Sequence, residues 1–537
     1  MPDQPTDFDI CSSEGDWSAI AEICGGAFDQ ADIAILSSCL NGVYKTALIE
    51  HEYIDKDYRN VYSAHYSRKF SVFPPRAKRV HFFEIEIGKD DLLFPEDGDL
   101  EGHLSTIAER QGIHAQHESG NASTSPGYLG YVVVRPTPYC RIGRCLLDPR
   151  KLAGIREGTR ICLTEFHSHV FGQGLRIAAF PHQSQDTEVH TCAETAVWSL
   201  FRYLSQRYRQ YAEQDPFSIA RLAEGLTVRR LFPSQGLTIE QISAMFGRNR
   251  LAAELYDRRV SEIVRPSLDI GWAGSEHLSS EDDFLQAIHI CVESGMPPIV
   301  GVSSSGNADG PIDHAVVAIG VNYRDKPVVR RSSKVIPATD LVETIVVQDD
   351  NWAPYRHVER GTHESPNEPR YGLPSLQAMV VPLPDKAFLA PEQADIAVAT
   401  LMSEFVQEAN LPQEWSEEVF VRKVFLTSAS NYQRFKCRDA SSDPVCDILR
   451  RKPMPHFVWV GELYRLSKWP ERTAFAEVVV DATAGPSDDS PFVWMRSPTL
   501  LRINSGRLYG LREESLETYE VPQNVREFAG FQGNLCR

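Results

Sequence analysis

No apolar run in this chain approaches the roughly 20 residues that a bilayer-spanning helix requires. The acidic start MPDQPTDFDICSSEGDW has neither the basic n-region nor the apolar h-region of a secretory signal. Both absences read as a cytoplasmic protein without a membrane partner. Positive charge is also scarce: 55 Lys and Arg stand against 73 Asp and Glu, giving a formal net charge of -18. Phosphate-backbone binding needs clustered positive charge, so nucleic acid is not expected as a partner, and the short runs PPRAKR and VVRRSSK read as solvated loops. The eleven cysteines are odd in number and scattered, without the dense spacing of a disulfide framework, so reduced thiols are expected. Cys140, Cys145 and Cys162 gather on paper with His167, His169, His182 and His190, but CRIGRC has no second close pair to complete a zinc ribbon or finger. There is no internal repeat and no low-complexity tract.

What is present is ordinary globular chemistry, with 42% apolar and 24% charged residues over 537 positions. That length implies several domains. Composition and periodicity divide the chain into an N-terminal α/β flanking domain over 1–160, a central domain over 161–385 and a C-terminal α+β domain over 386–537. In the first, DWSAIAEICGGAF and ADIAILSSCL have helical spacing, whereas RVHFFEIEI alternates like a strand and GYLGYVVVRPTPY is a β-rich run ended by prolines. Beyond the centre, EQADIAVATLMSEFVQEAN reads as a helix, and FVWVGELY and FAEVVVDA as strands.

The organising stretch is TEVHTCAETAVWSLFRYLSQRY, Thr187 to Tyr208. Ala193, Ala196, Val197, Leu200, Leu204 and Tyr208 recur at helical spacing and predict one apolar face, with Cys192 at the helix mouth. A helix start stabilises negative charge, and a thiol in such a place can ionise in roughly the 3.5 to 7.5 range instead of near 8.5. FSIARLAEGL, LTIEQISAMF and RNRLAAELY follow as expected helices, with breaks at Pro216, Pro233 and Gly236. SSEDDFLQAIHICVESG reads as a helix capped by Ser280, with Leu285, Ile288 and Val292 buried and Gly295 at the exit.

Three strands are then expected, at Pro297 to Val302, Ala315 to Gly320 and Thr344 to Val347, the last two separated by a polar hairpin insertion. Asp313 and His314 open the second strand, and Asp349, Asp350 and Asn351 end the third. Cysteine, then histidine, then carboxylate is a workable order for thiol catalysis. Alternation puts Asp349 on the face shared by Ile345 and Val347, and Asp350 on the other. The loop YRHVERGTHESPNEPRYG beyond Asn351 lies where it could cover such a site.

DHAVVAIGV resembles the histidine strand of the papain-like cysteine peptidases, and SGMPPIV resembles the strand before it in the bacteriocin-processing type of bacterial peptidase within that superfamily. The resemblance covers roughly 160 to 385. It implies an α+β fold whose core packs a cysteine-bearing helix on an antiparallel sheet bearing His and Asp, with additional flanking domains. It further implies Cys192 as nucleophile, His314 as general base, Asp349 (fallback Asp350) as the group orienting the ring, and Gln185 (reserve Gln183) as oxyanion donor.

The chain departs from the family in lacking its glycines around the nucleophile and papain's tryptophan after it. The His-to-acid spacing of 35 residues is also long. The expected activity is cysteine-protease cleavage of a protein or peptide through a thioester, with no metal or organic cofactor and a regulatory protein partner engaging the flanking domains. A transglutaminase or glutamine deamidase uses the same three residue types, and a non-catalytic binding protein could retain the fold.

Overall fold

A computed structural model of the chain describes residues 8–11, 17–25, 28–113, 122–186, 188–224, 236–258, 281–303, 310–327, 333–361, 371–408, 411–415, 417–438, 444–485, 491–504, 516–521 and 527–534. Pro233, Ser280, part of the basic run VVRRSSK and the middle of the loop after Asn351 lie outside the described residues. Helices and mainly antiparallel sheets combine in an α+β architecture.

The first sheet has strand order β1 (Phe8–Cys11), β2 (Thr46–Tyr53), β3 (Ala77–Phe83), β4 (Tyr128–Val134), β5 (Ile142–Leu147), all antiparallel. Its strand β4, YLGYVVV, is buried throughout because both faces are covered. Leu129, Val132 and Val134 enter one core cluster while Tyr128, Tyr131 and Val133 enter another, so side chains alternate between faces on either side of Gly130 and the alternation changes phase at that glycine, where φ is 123° and the β3–β4 register shifts.

After β6 (Thr159–Ile161), a hairpin of β7 (Thr164–Val170) and β8 (Gln173–Ala179) joins that second cluster through Phe166, Val170, Leu175 and Ile177. The central sheet then assembles from β9 (Leu251–Asp257), β10 (Ile299–Val302), β11 (His314–Tyr323), β13 (Val342–Gln348), β14 (Arg356–Glu359) and β15 (Leu376–Pro384), in the order β14-β13-β11-β10-β15-β9. β6 pairs with the far end of β11 and passes so close that a Cβ on Gly320 would lie 2.5 Å from the Arg160 carbonyl oxygen.

RNRLAAELY is not helical. Its Ala, Leu and Glu favour a helix, but Arg250, at φ 62°, breaks away from the preceding helix Ile239–Arg248. The segment instead forms β9, whose seven register pairs complete the free edge of β15. Tertiary pairing overrides local propensity here. The insertion between β11 and β13 also does more than turn: β12 (Val335–Pro337) leaves the central sheet and pairs in parallel with β16 (Phe420–Ser428).

That third sheet runs β12-β16-β17-β18-β19-β20-β21 through β17 (Phe457–Arg465), β18 (Thr473–Asp481), β19 (Phe492–Arg496), β20 (Leu500–Asn504) and β21 (Leu516–Glu520), with β22 (Phe528–Ala529) beside β18. One continuous apolar core includes Val80, Val317 and Trp459, and so draws on all three sheets.

The helix Cys192–Arg207 packs against β11. Its periodicity predicts one apolar face, yet every residue from Ala193 to Leu204 is buried. Its polar residues are accommodated by pairing: Arg202 binds both oxygens of the buried Asp57 at 2.7 and 3.0 Å and Glu213 at 2.9 Å. Buried charges need such partners to offset their lost hydration.

Candidate active site

The approach to Cys192 is fixed before the helix begins. Residues 182–184 run beside β5, with backbone bonds from His182 N to Cys145 O and from Ser184 N to Ile142 O. Arg135 donates to the carbonyls of Cys140, Ile142 and Ser184. Asp186, 2% exposed, then turns the chain: its Oδ1 accepts from the N–H groups of Glu188, Val189 and His190 at 3.1, 2.7 and 3.0 Å, and its Oδ2 accepts from the Tyr66 hydroxyl at 3.2 Å. Burial opposes its ionisation, but His190, Arg135 and the backbone donors outweigh that and hold the carboxyl well below the usual range.

Thr191 caps the helix in extended backbone, and the Glu194 carboxylate accepts from the Thr191 N–H at 3.1 Å and its hydroxyl at 2.5 Å. Cys192 is therefore the first helical residue, half-buried, with its backbone N–H among those left free by the helix. All ten described cysteines are free thiols.

His314 and Asp349 meet because β11 and β13 are antiparallel: Val317 pairs with Gln348, so the start of one strand lies beside the end of the other. The His314 Nε2 is 2.9 Å from Asp349 Oδ1. Asp349 is fully buried and accepts two more hydrogen bonds, from the Tyr371 hydroxyl at 2.5 Å and the Asn351 N–H at 3.1 Å. Burial would raise its pKa, but His314, Tyr371 and the Asn351 N–H together lower it.

Burial likewise disfavours a charged His314 ring. The hydrogen bonds to Asp349 and to the Cys192 thiol and the charges of Asp349 and Asp350 overcome this, and the ring is pushed up to about 11. The charged ring, bonded through Nε2 to the Asp349 carboxylate, is thereby favoured.

The two candidate acids have different environments. Asp350 Oδ1 stands 3.8 Å from His314 Nε2, outside hydrogen-bond distance, and neither of its buried carboxylate oxygens has a hydrogen-bond partner among the described residues. Burial and the charge of Asp349 push its carboxyl up to about 7 despite the opposing charge of His314.

The two glutamines also separate. Gln185 lines a cavity of about 450 Å³ with Cys192, His314, Asp313 and Trp352, and its Nε2 donates to Asn351 Oδ1 at 2.8 Å. Gln183 is buried, and lines a small separate cavity with Asp55, Arg144 and Asp186.

Tyr371 and Asp186 are missing from the sequence reading. Tyr371 acts across strands and shows no spacing relation to Cys192, His314 or Asp349. Asp186 precedes the motif by six residues, and its signal is the acid-to-backbone turn that Asp readily forms.

His314, Asp349 and Asp350 are the one group among the described residues whose ligating atoms lie within 4.8 Å of one another. A cation there would have to replace the His314–Asp349 hydrogen bond, so the arrangement is better suited to holding a proton. The histidines that could be gathered into a zinc site on paper lie apart in role: His182 bridges to Cys145, His190 sits on Asp186 and His167 is 63% exposed in its side chain.

No helix among the described residues is long and apolar enough to cross a membrane. No protein-family model matches the chain and no curated protein matches it.

Proposed function

We propose that the chain is a thiol hydrolase with a papain-like core, a cysteine protease acting on a protein or peptide. The observation that carries this reading is that Cys192, at a helix start, shares one cavity with His314, whose Nε2 is bonded to the fully buried Asp349 carboxylate.

In the reaction, His314 takes the proton of Cys192 and the sulfur attacks the substrate carbonyl. Asp349 holds the ring so that the nitrogen facing the thiol is the one that accepts the proton, and Tyr371 and Asn351 hold Asp349. The oxyanion that forms is met by the Cys192 backbone N–H and the Gln185 side-chain amide, which must turn from Asn351 toward it. His314 then protonates the leaving amine, and water, deprotonated by the same ring, hydrolyses the thioester. No step requires a metal or an organic cofactor. The flanking regions select the substrate or hold a regulatory partner.

The test is incubation of the wild type and Cys192→Ala with denatured protein substrates, followed by mass spectrometry of the products. New peptide termini that depend on Cys192 are expected. A mass change at glutamine without backbone cleavage would replace the protease reading with deamidation or transamidation, and no Cys192-dependent product would remove the catalytic reading.

A further inference from the structure

Arg356 opens β14 and pairs with Val347 near the end of β13, which seats it beside the strand end that delivers Asp349. Its guanidinium meets two rings at once, 5.0 Å from the Trp352 ring centroid and 4.9 Å from that of Tyr371. Its Nη1 stands 3.9 Å from Asp349 Oδ2. Trp352, Tyr371 and Asp349 all line the Cys192 cavity, whereas Arg356 does not, and its side chain is 14% exposed.

The Asp349 carboxylate is thereby divided between two sets of neighbours. Oδ1 is bonded to His314 Nε2 and accepts the Asn351 N–H, while Oδ2 accepts the Tyr371 hydroxyl and faces Arg356. In the proposed reaction His314 carries charge only until it protonates the leaving amine. Afterwards the ring is neutral, and the fully buried Asp349 has to remain ionised beside it. A buried carboxylate without a nearby cation is costly.

The other titratable groups that face Asp349 supply no such cation. Burial and the charge of Asp349 itself keep the Tyr371 phenol protonated and neutral. His182, which feels the Asp349 charge, is pushed down to about 4 by burial, so it is neutral near pH 7. Asp350 is a like charge when ionised. A guanidinium holds its proton at any working pH, so Arg356 offers Oδ2 a permanent positive charge.

We propose that Arg356 is a positioning residue of the thiol site: it keeps Asp349 ionised through the part of the cycle in which His314 is neutral, and it fixes the Trp352 and Tyr371 rings in the cavity wall. This inference rests on the hydrolase reading and adds a cation to its machinery.

The experiment is the pH dependence of Cys192 alkylation by iodoacetamide, in which the thiolate displaces iodide, read by peptide mass spectrometry of the full-length protein. Reactivity falls on the acid side, where Asp349 takes up a proton and the imidazolium that accompanies the thiolate is lost. Removing a cation raises the pKa of an acid beside it, so this acid limb should move up by about one pH unit in Arg356→Met. Arg356→Gln, also neutral, gives the same readout if the Met variant does not fold. Arg356→Lys keeps the charge and should leave the limb close to its wild-type position. An arginine with only a structural role would change stability without moving the limb. A limb at the same pH in the wild type and the neutral variant, or one displaced equally in Arg356→Lys, would overturn the inference alone. A wild type whose Cys192 reacts at acid pH no faster than an ordinary thiol would remove the hydrolase reading, and this inference with it.

Discussion

Replacing Asp349 by Asn isolates what a single buried charge does for His314. The substitution preserves the shape of the side chain and an acceptor oxygen for Tyr371 or Asn351, but removes the carboxylate from a fully buried position. In the native protein the ring rises from 6.5 to about 11, which corresponds to about 6 kcal/mol of preference for the imidazolium. Asp349 supplies both a hydrogen bond and a charge to that total, with Cys192 and Asp350 supplying the remainder. The variant loses the largest favourable contributions to that total, so its ring titrates below the wild-type value of about 11.

The sign follows from the direction of the shift. Stability contributed by the charged ring is fully present below 6.5 and is lost as pH rises through about 11, so in the variant that loss comes earlier. NMR titration of the ring with isotope-labelled histidine reads it directly. Turnover should fall by roughly 10²- to 10⁴-fold, because the amide can also donate to the ring and fix the wrong tautomer. An Asp349→Asn protein that is folded and whose His314 titrates as in the wild type would refute the reasoning.

Asp350→Asn should behave oppositely, because its carboxyl is raised from 3.8 to about 7, so the native state is penalised as pH climbs between those values and fully above them. The variant should be the more stable protein at mildly alkaline pH, by up to about 4 kcal/mol, and the difference should vanish toward acid; urea denaturation at both ends checks this, and equal stabilities at alkaline pH would contradict it. Gln185→Ala should lower the rate about a hundred- to a thousandfold with little change in KM, and steady-state kinetics with unchanged kcat would remove Gln185 from the oxyanion site. Asp186→Ala leaves three N–H groups, two of them buried, without their acceptor and should destabilise the fold by about 3 kcal/mol near neutral pH. Because the native Asp186 carboxyl is depressed, the wild-type advantage should shrink as pH falls below 3.8; a deficit that does not change with pH would contradict the assignment of charge to Asp186.

The sequence carried the local parts of this arrangement well. The periodicity from Ala193 to Leu204 locates the helix, and the phase of the strand ending at Gln348 separates Asp349 from Asp350; in the structure only Asp349 bonds to the ring. Both features repeat along a single element and are visible in its residues. What depends on contacts between elements was not legible. RNRLAAELY has helical residues and becomes a strand because β15 offers it an edge, and VIP at 335–337 leaves a supposed hairpin to join another sheet. Burial on every side of the Cys192 helix is likewise invisible in its pattern, since Arg202 reads as solvent-facing until Asp57 is seen against it. Tyr371 reaches Asp349 from beyond β14, and no spacing rule connects the two.

The central claim is that His314 activates the Cys192 thiol. Its most direct test is intact-mass labelling of the purified protein with an epoxide thiol inhibitor, beside Cys192→Ala and His314→Ala, with peptide mapping of the adduct. The account predicts one modification, at Cys192, that disappears in both variants while the other cysteines stay unlabelled. Labelling spread over several cysteines, or at Cys192 with equal speed after His314 is removed, would contradict it.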